Sequence, residues 1–233
     1  MLSKSAALKK HLPETTEYQG IHSIMRMLEK HETLYLKPKV NLLGRGIYRL
    51  EKNKNGYILT DSKGTKIHCK SNQNLSKVLI NRVNSTYLIQ QEIIATASTS
   101  KVDFRCYMQR GRNGKWQCSA IETRVAKSDS IITNPSGREK VLNAELGMKV
   151  FYNLSPEQIS NVIKRIESVC TKVLFNIERN KKYHLGEVAF DLILDKNLHI
   201  WLLELQVNIA AETKALMSED NHFVLPAIMP APF

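Results

Sequence analysis

The sequence predicts an α+β fold built from two lobes. The stretch 186–208 is rich in β-branched and aromatic residues, and turn-forming residues interrupt it at 195–197. A capping box followed by an apolar stripe predicts one long helix over 155–177. The Asn-Gly pair at 113–114 separates two further apolar runs, which is a strong hairpin signal. Paired strands together with a long helix favour a mixed architecture.

The first predicted lobe covers residues 20–92 and follows a leader over residues 1–19. It opens with an amphipathic helix, because apolar residues recur at helical spacing from Ile21 to Leu28. A second helix is expected around residues 75–83. Apolar runs bounded by turn residues predict strands at 34–38, 47–50, 57–60 and 87–94.

The second predicted lobe covers residues 93–225 and is followed by an irregular tail, 226–233, that holds three of the seven prolines. The lobe is expected to begin with a hairpin and a polar loop, and to continue with the long helix and the final strand pair. The predicted hairpin strands are 102–108 and 116–126, and the predicted polar loop is 128–140.

Length and composition indicate an ordinary globular protein of 233 residues, with 42% hydrophobic and 24% charged residues. A run of about 18 apolar residues, as a membrane helix requires, is not found in the sequence. The N-terminus also lacks the apolar core of a signal peptide, so the expected location is cytoplasmic. The net charge of +12 favours a polyanionic partner, but the basic residues are dispersed, so we rank nucleic acid low among the partners.

The final strand pair carries two acidic residues in apolar surroundings. A two-residue loop of Lys196 and Asn197 would pair Asp191 with Leu202, and would place Glu204 diagonally on the same face. A slip of one residue would send one of the acids to the opposite face.

Two carboxylates on one sheet face suit a magnesium ion, which prefers hard oxygen ligands and takes carboxylates together with substrate phosphates. Gln206 falls on the same predicted face as Asp191 and Glu204 and adds an amide oxygen. The alternative is that the two acids face solvent, or pair with arginine or lysine.

Lys37 lies on a predicted strand just before the glycine-containing segment Gly44-Arg45-Gly46. A lysine ammonium is a compact charge suited to phosphate, and glycines let backbone N–H groups approach phosphate oxygens closely. This pattern is neither a Walker A loop nor a dinucleotide-binding fingerprint. An ordinary β-hairpin explains the same residues.

Arg105 shares a predicted strand face with Asp103, and Arg124 lies on the partner strand. Arginine suits planar, bidentate contact with phosphate or carboxylate. The alternative is a surface ion pair, either Asp103 with Arg105 or Glu122 with Arg124, which would contribute little to stability.

Taken in order, these segments resemble the ATP-grasp enzymes, and specifically the YheC/YheD family described as endospore coat-associated. The matching residues, in chain order, are Leu12-Pro13-Glu14-Thr15, Leu34-Tyr35-Leu36-Lys37-Pro38, Gly44-Arg45-Gly46-Ile47, Ile89-Gln90-Gln91-Glu92-Ile93, Asp103-Phe104-Arg105, Met108-Gln109-Arg110, Trp116, Arg124-Val125-Ala126, Thr133-Asn134, Asp191 and Trp201-Leu202-Leu203-Glu204. The resemblance implies an α+β ATP-grasp fold whose two lobes clamp ATP.

The resemblance also implies roles for individual residues. Lys37 would contact the nucleotide phosphates, and a mobile flap over them would include Asn41, Gly44, Arg45 and Gly46. The adenine and ribose pocket would be lined by Gln91, Glu92 and Ile93. Arg105 and Arg124 would hold the acyl-phosphate or the substrate carboxylate, and Mg²⁺ would be bound by Asp191, Glu204 and Gln206.

Members of this superfamily join a carboxylate to an amine-type acceptor, using ATP to form an acyl-phosphate. The resemblance therefore implies an ATP- and Mg²⁺-dependent carboxylate–amine ligase. The alternative is a catalytically weakened or inactive nucleotide-binding protein of the spore coat. A basic nucleic-acid-binding protein is a third hypothesis, which a steep fall of affinity with salt would support.

The sequence departs from the family pattern in two respects. The family usually ends its metal-binding strand with Glu-x-Asn, whereas this chain has Glu204-Leu205-Gln206, with Asn208 two residues later. Family members also usually carry an α/β region before the lysine lobe. We expect that region to be absent here, so that a partner protein would supply it in trans or part of the acceptor site would be missing.

Overall fold

The computed structural model describes residues 5–40, 44–95, 101–181 and 185–207. The predicted flap residue Asn41 and the predicted tail 226–233 lie outside these ranges. The helices, in chain order, are α1 (Ala6–Lys9), α2 (Ile21–Leu28), α3 (Asn72–Leu79), α4 (Ala144–Tyr152) and α5 (Pro156–Lys181). The strands are β1 (Thr15–Glu17), β2 (Thr33–Pro38), β3 (Tyr48–Asn53), β4 (Gly56–Asp61), β5 (Lys66–Cys69), β6 (Tyr87–Gln91), β7 (Val102–Arg110), β8 (Trp116–Ala126), β9 (Arg138–Asn143), β10 (Glu187–Leu194) and β11 (Ile200–Gln206).

The described residues fall into two compact units. One unit lies within residues 12–102 and 125–140, and the other lies within 1–11, 103–124 and 141–233. Both units are discontinuous in sequence, whereas the predicted lobes 20–92 and 93–225 are continuous. Every helix in the described ranges is too short or too polar to cross a membrane.

The first unit contains a six-stranded sheet in the order β1-β6-β2-β3-β4-β5. One face of this sheet packs on α2 and α3, since Leu34, Leu36 and Ile89 share a buried cluster with Ile24 and Leu75. Successive residues of a strand point to opposite faces. The polar residues of the central strands therefore lie on the other face, and these are Tyr35, Lys37, Arg49 and Gln90.

The second unit contains a five-stranded sheet in the order β11-β10-β7-β8-β9. Helices α4 and α5 cover one of its faces: the ring of Phe104 lies 5.9 Å from that of Tyr152 in α4, and Trp116 Nε1 donates to Glu178 Oε1 of α5 at 3.3 Å. By strand alternation, the neighbouring Asp103 on β7 points to the opposite face. The long helix begins as predicted.

The capping box of α5 is confirmed by two reciprocal hydrogen bonds. The backbone N–H of Gln158 donates to Ser155 Oγ at 3.3 Å, and the backbone N–H of Ser155 donates to Gln158 Oε1 at 2.9 Å. These bonds satisfy two of the donors that a helix start leaves without partners, so the predicted helix start is correct.

The predicted two-residue loop between the last two strands is wrong. The loop has three residues, Lys196 to Leu198, because Asp195 pairs with His199 through an N–H···O bond of 3.1 Å. Leu198 takes the left-handed conformation with φ of 59°, as the third residue of such loops often does. The carboxylate of Asp195 holds the turn by accepting from the N–H groups of Asn197 and His199.

A bulge in β11 compensates for this longer loop. Leu192 pairs with Leu202, but Asp191 pairs with Glu204, so Leu203 is an extra residue in the strand. The longer loop alone would send Glu204 to the face opposite Asp191. The bulge returns it, and the predicted sharing of one face by Asp191 and Glu204 is confirmed by their direct pairing.

Several element predictions need correction. The expected leader contains α1 and β1, and the expected polar loop 128–140 overlaps β9. Helix α4 and strand β5 have no counterpart among the predictions. The strand predicted over 87–94 ends at Gln91, so Glu92 and Ile93 follow the strand rather than belong to it.

Candidate functional site

The second unit holds a cluster of buried charges that we name the arginine–aspartate array, formed by Asp103, Arg105, Arg124 and Asp191. Arg105 donates through Nε and Nη2 to the two oxygens of Asp191, at 2.7 and 2.9 Å. Arg124 donates through Nε and Nη2 to the two oxygens of Asp103, at 2.8 and 2.7 Å. Arg124 Nη2 also lies 3.0 Å from Asp191 Oδ2, which joins the two pairs into one network.

All four residues of the array are buried, with exposed fractions between 2% for Arg124 and 8% for Arg105. Burial alone raises the pKa of Asp191, but the charges of Arg124 and Arg105 outweigh it and lower that pKa below its ordinary value. The resulting stabilisation is fully present above the unfolded pKa of about 3.9. It is lost as the pH falls through the lower, folded pKa.

The alternative of surface ion pairs is therefore wrong for these residues. Asp103 on β7 pairs with Arg124 on the neighbouring strand β8, and not with Arg105 on its own strand. The pair is buried. Glu122 is also buried, with 2% of its surface exposed, and its charge contributes to the raised pKa of Tyr107 after the larger effect of burial.

The predicted metal ligands lie along one row and one edge of this sheet. Asp191 pairs with Glu204 and with Arg105 on its two sides, and Gln206 pairs with Ala189. Glu204 is exposed and Gln206 is partly exposed. The three candidate ligands thus share a face, as directly paired residues and residues two apart do.

The chemistry of these donors fits Mg²⁺, which takes one or two carboxylates together with phosphate oxygens. Both oxygens of Asp191 already accept hydrogen bonds from guanidinium groups, so a cation at Asp191 must share its oxygens with Arg105 and Arg124. Glu204 supplies the more accessible carboxylate. The described residues contain no group of three or more histidine, cysteine, aspartate or glutamate side chains that could hold a metal ion.

In the first unit, Lys37 projects from the polar face of the six-stranded sheet. Its Nζ donates to Gln90 Oε1 at 2.6 Å and lies 5.5 Å from the centre of the Tyr35 ring. The Tyr35 hydroxyl donates to the carbonyl oxygen of Ile131 at 2.9 Å. Lys37 is therefore partly buried in a polar network instead of extended into solvent.

Glu92, predicted at the adenine and ribose pocket, is held by two cations. Arg49 makes two hydrogen bonds to its carboxylate at 2.9 and 2.8 Å, and Lys101 makes a third at 2.9 Å. Burial lowers the pKa of Lys101, although Glu92 acts in the opposite direction. Gln91 accepts a hydrogen bond from the backbone of Glu14 at 2.8 Å. Gln91 and Glu92, the two residues before Ile93, are thus both held by hydrogen bonds of their side chains.

The glycines of the predicted flap are required by the backbone. Gly44 and Gly46 have φ angles of 72° and 70°, which side-chain-bearing residues rarely adopt. A Cβ atom at Gly44 would lie 2.7 Å from Ile132 Cδ1 and 3.1 Å from the side chain of Asn134. Gly44 is thus packed against the segment 132–134, and Arg45 between the two glycines is exposed.

The sequence predictions missed three polar residues that contact predicted site residues, namely Arg49, Gln90 and Lys101. Gln90 carried a usable signal, because it is a polar residue that directly follows Leu88 and Ile89 in a predicted strand. The structure places it directly across from Tyr35. Arg49 lies across from the same tyrosine on the other side. Lys101 lies in a loop segment, where strand alternation gives no guidance.

Replacing Arg124 with methionine should destabilise the second unit by about 3–5 kcal/mol, because it removes the guanidinium that pairs with Asp103 and leaves the buried array with one net negative charge. Urea unfolding measures the loss. The matched control is Lys30→Met, which breaks the exposed Lys30–Glu14 pair and should cost less than about 1 kcal/mol. Equal losses in the two variants would mean that the array contributes no more than a surface ion pair.

The sequence of this chain is similar to those of known proteins. A family model described as "YheC/D like ATP-grasp" matches residues 1–225. "Endospore coat-associated protein YheD" of Bacillus subtilis (strain 168) is 26% identical over 212 residues, which are 88% of this chain and 45% of that protein. "Endospore coat-associated protein YheC" of the same strain is 24% identical over 217 residues, which are 88% of this chain and 56% of that protein. The chain thus spans about half the length of these two relatives.

A solved structure shares the fold. D-alanyl-alanine synthetase A from Vibrio cholerae O1 biovar eltor str. N16961 has a TM-score of 0.53 to this chain at 11% identity. The similarity covers 86% of this chain and 51% of the synthetase. The chain has the α+β ATP-grasp fold and belongs to the YheC/D-like ATP-grasp family.

Proposed function

We propose that this chain binds ATP with Mg²⁺ and acts as a carboxylate–amine ligase. Family membership supports the proposal, and the observation that carries it is the direct pairing of Asp191 with Glu204 beside two buried arginines. Oxygen ligands for a cation and guanidinium donors for an anion then lie in one polar row. Phosphoryl transfer needs both kinds of group to offset the charge of the transferred phosphate.

In the proposed reaction, a substrate carboxylate oxygen attacks the γ-phosphorus of ATP, and the bond from that phosphorus to ADP breaks. An amine then attacks the carbonyl carbon of the acyl-phosphate, phosphate leaves, and the amine nitrogen loses a proton. Arg105 and Arg124 bind the acyl-phosphate or the substrate carboxylate. Their contacts with the aspartates use Nε and Nη2 of each guanidinium group.

Asp191, Glu204 and Gln206 would hold Mg²⁺, which would supply positive charge that offsets the charge of the ATP phosphates. The arginines serve Asp191 in this arrangement as well as the substrate. They keep its carboxylate ionised, which is the form that a metal requires.

The ATP phosphates would be bound by Lys37 and covered by the loop 41–46, with Gly44 and Gly46 permitting close backbone approach. Gln91, Glu92 and Ile93 would line the adenine and ribose pocket. The ion pairs of Glu92 with Arg49 and Lys101 hold its side chain in place within the proposed adenine and ribose pocket.

Lys37→Ala should lower the affinity for ATP by about tenfold or more, since a charge-assisted contact to phosphate is lost. The affinity for adenosine should stay the same, because Lys37 contacts only phosphate in this proposal. Titration calorimetry with both ligands measures the difference, and thermal unfolding checks that the fold is intact. Unchanged ATP affinity in the variant would remove Lys37 from the site.

A second candidate function is a nucleotide-binding protein with weakened or absent turnover. Gln206 supports this candidate, because its amide oxygen stands one methylene further from the strand than that of the usual asparagine. The names of the curated relatives support a place at the spore coat, and the chain spans about half of their length. For this candidate we propose a spore-coat or trans-acting protein as the partner.

Gln206→Asn should raise the affinity for Mg²⁺ in the presence of ATP. Mg²⁺ demands nearly ideal octahedral geometry at about 2.0–2.1 Å, so a displaced amide oxygen binds it less well. The metal dependence of ATP binding in the two proteins measures the effect. Equal or lower Mg²⁺ affinity in the variant would show that glutamine is an adequate ligand or does not contact the ion.

A further inference from the structure

The side chain of Lys37 is hydrogen-bonded to Gln90, which was not among the predicted site residues. Its Nζ donates to Gln90 Oε1 at 2.6 Å, a short distance for a hydrogen bond from an ammonium group. Gln90 is buried, with 8% of its surface exposed, and lies on the neighbouring strand β6. The pairing of Lys37 with Leu88 places Gln90 diagonally across from the lysine on the same face.

The orientation of the Gln90 amide is fixed from the other side by Thr15. Gln90 Nε2 donates to Thr15 Oγ1 at 3.1 Å, and Thr15 Oγ1 donates to the carbonyl oxygen of Pro13 at 2.9 Å. Since the threonine hydroxyl gives its proton to Pro13, it accepts from the amide NH₂ group. The amide oxygen must therefore point toward Lys37, and a flipped amide would break both contacts.

We propose that Gln90 is a positioning residue that aims the Lys37 ammonium at a nucleotide phosphate, and that Thr15 fixes the amide that does so. This inference rests on the proposed function, in which Lys37 binds ATP phosphate. A lysine side chain loses considerable rotamer entropy when it is immobilised. A lysine that is held before the ligand arrives loses less of it on binding, which favours affinity.

A glutamine is suited to this task because its amide oxygen is neutral. A carboxylate at position 90 would hold Lys37 equally close, but it would cancel the charge that attracts phosphate. The neutral amide keeps the full charge of the ammonium in place. The face of the Tyr35 ring, 5.5 Å from Lys37 Nζ, adds a second contact that restricts the lysine without neutralising it.

The test measures ATP, inorganic tripolyphosphate and adenosine binding by titration calorimetry in wild type, in Lys37→Ala and in four further variants. Gln90→Leu removes the acceptor, Gln90→Glu adds a charge, and Thr15→Val removes the group that orients the amide. Thr16→Val is the matched control, because Thr16 is exposed on the same strand and points to the other face.

We expect Gln90→Leu to weaken ATP and tripolyphosphate binding by about tenfold, the size of a lost hydrogen bond to a charged group. Gln90→Glu should weaken them further, although it restores the hydrogen bond, because its charge repels phosphate. Thr15→Val should have a smaller effect of about threefold, and Thr16→Val should bind as wild type does. Adenosine affinity should be the same in all of these proteins.

Wild-type affinity for ATP in Gln90→Leu would overturn the inference, and so would rescue of affinity by Gln90→Glu. A parallel loss of adenosine affinity would also overturn it, because the residue would then support the fold rather than the lysine. If Gln90→Leu fails to fold, the other three variants decide. The inference then requires the affinity for ATP to fall in the order Thr16→Val, Thr15→Val, Gln90→Glu, and any other order would overturn it. Lys37→Ala separates the two proposals, since loss of ATP affinity there with none in Gln90→Leu contradicts only the role of Gln90.

Discussion

The buried arginine–aspartate array constrains the rest of the second unit. Transferring an ionised side chain out of water is costly, so two aspartates and two arginines are tolerated in one sheet only when they meet in good geometry. Asp103 and Arg105 come from β7, Arg124 from β8 and Asp191 from β10. The register of three strands must therefore be correct at once, because a slip of one residue would leave buried charges without partners.

The same constraint explains how the candidate site is assembled. Asp191 pairs directly with Arg105 on one side and with Glu204 on the other, so the array and the exposed carboxylate form one row across the sheet. The bulge at Leu203 is what brings Glu204 into that row. Fold stability and the candidate site thus depend on the same pairing, and Arg105 and Arg124 balance the charge of Asp191. In the first unit, Thr15 and Gln90 perform a comparable task by fixing the position of Lys37.

Much of this architecture was predictable from residue patterns, but the details of the last hairpin were not. The capping box of α5 and the strands β7 and β8 depend on local signals, and the structure has them where they were expected. The loop after Asp195 depends on hydrogen bonds of its carboxylate to His199 and to the Trp201 ring, which a turn-residue rule does not contain. The two errors in that hairpin, loop length and bulge, cancelled in their effect on which face Glu204 takes.

Other features came from contacts between distant parts of the chain. The expected leader contributes His11, whose carbonyl oxygen accepts from the N–H of Leu202 at 2.7 Å and so covers the open edge of β11. Gln90 reaches Lys37 only because β6 lies beside β2 in the sheet, and strand order does not follow from periodicity. Helix α4 is short and its N-cap, Asn143, is also the last residue of β9, so no loop separates the two elements.

We propose that this member of the YheC/D-like ATP-grasp family binds ATP and that Mg²⁺ takes part through the row of Asp191 and Glu204. The most direct measurement is a calorimetric titration of the whole chain with ATP, once with excess Mg²⁺ and once with a chelator. The account predicts saturable ATP binding that is tighter with Mg²⁺. Failure to bind ATP, or an affinity for ATP that is the same with the metal and with the chelator, would contradict it.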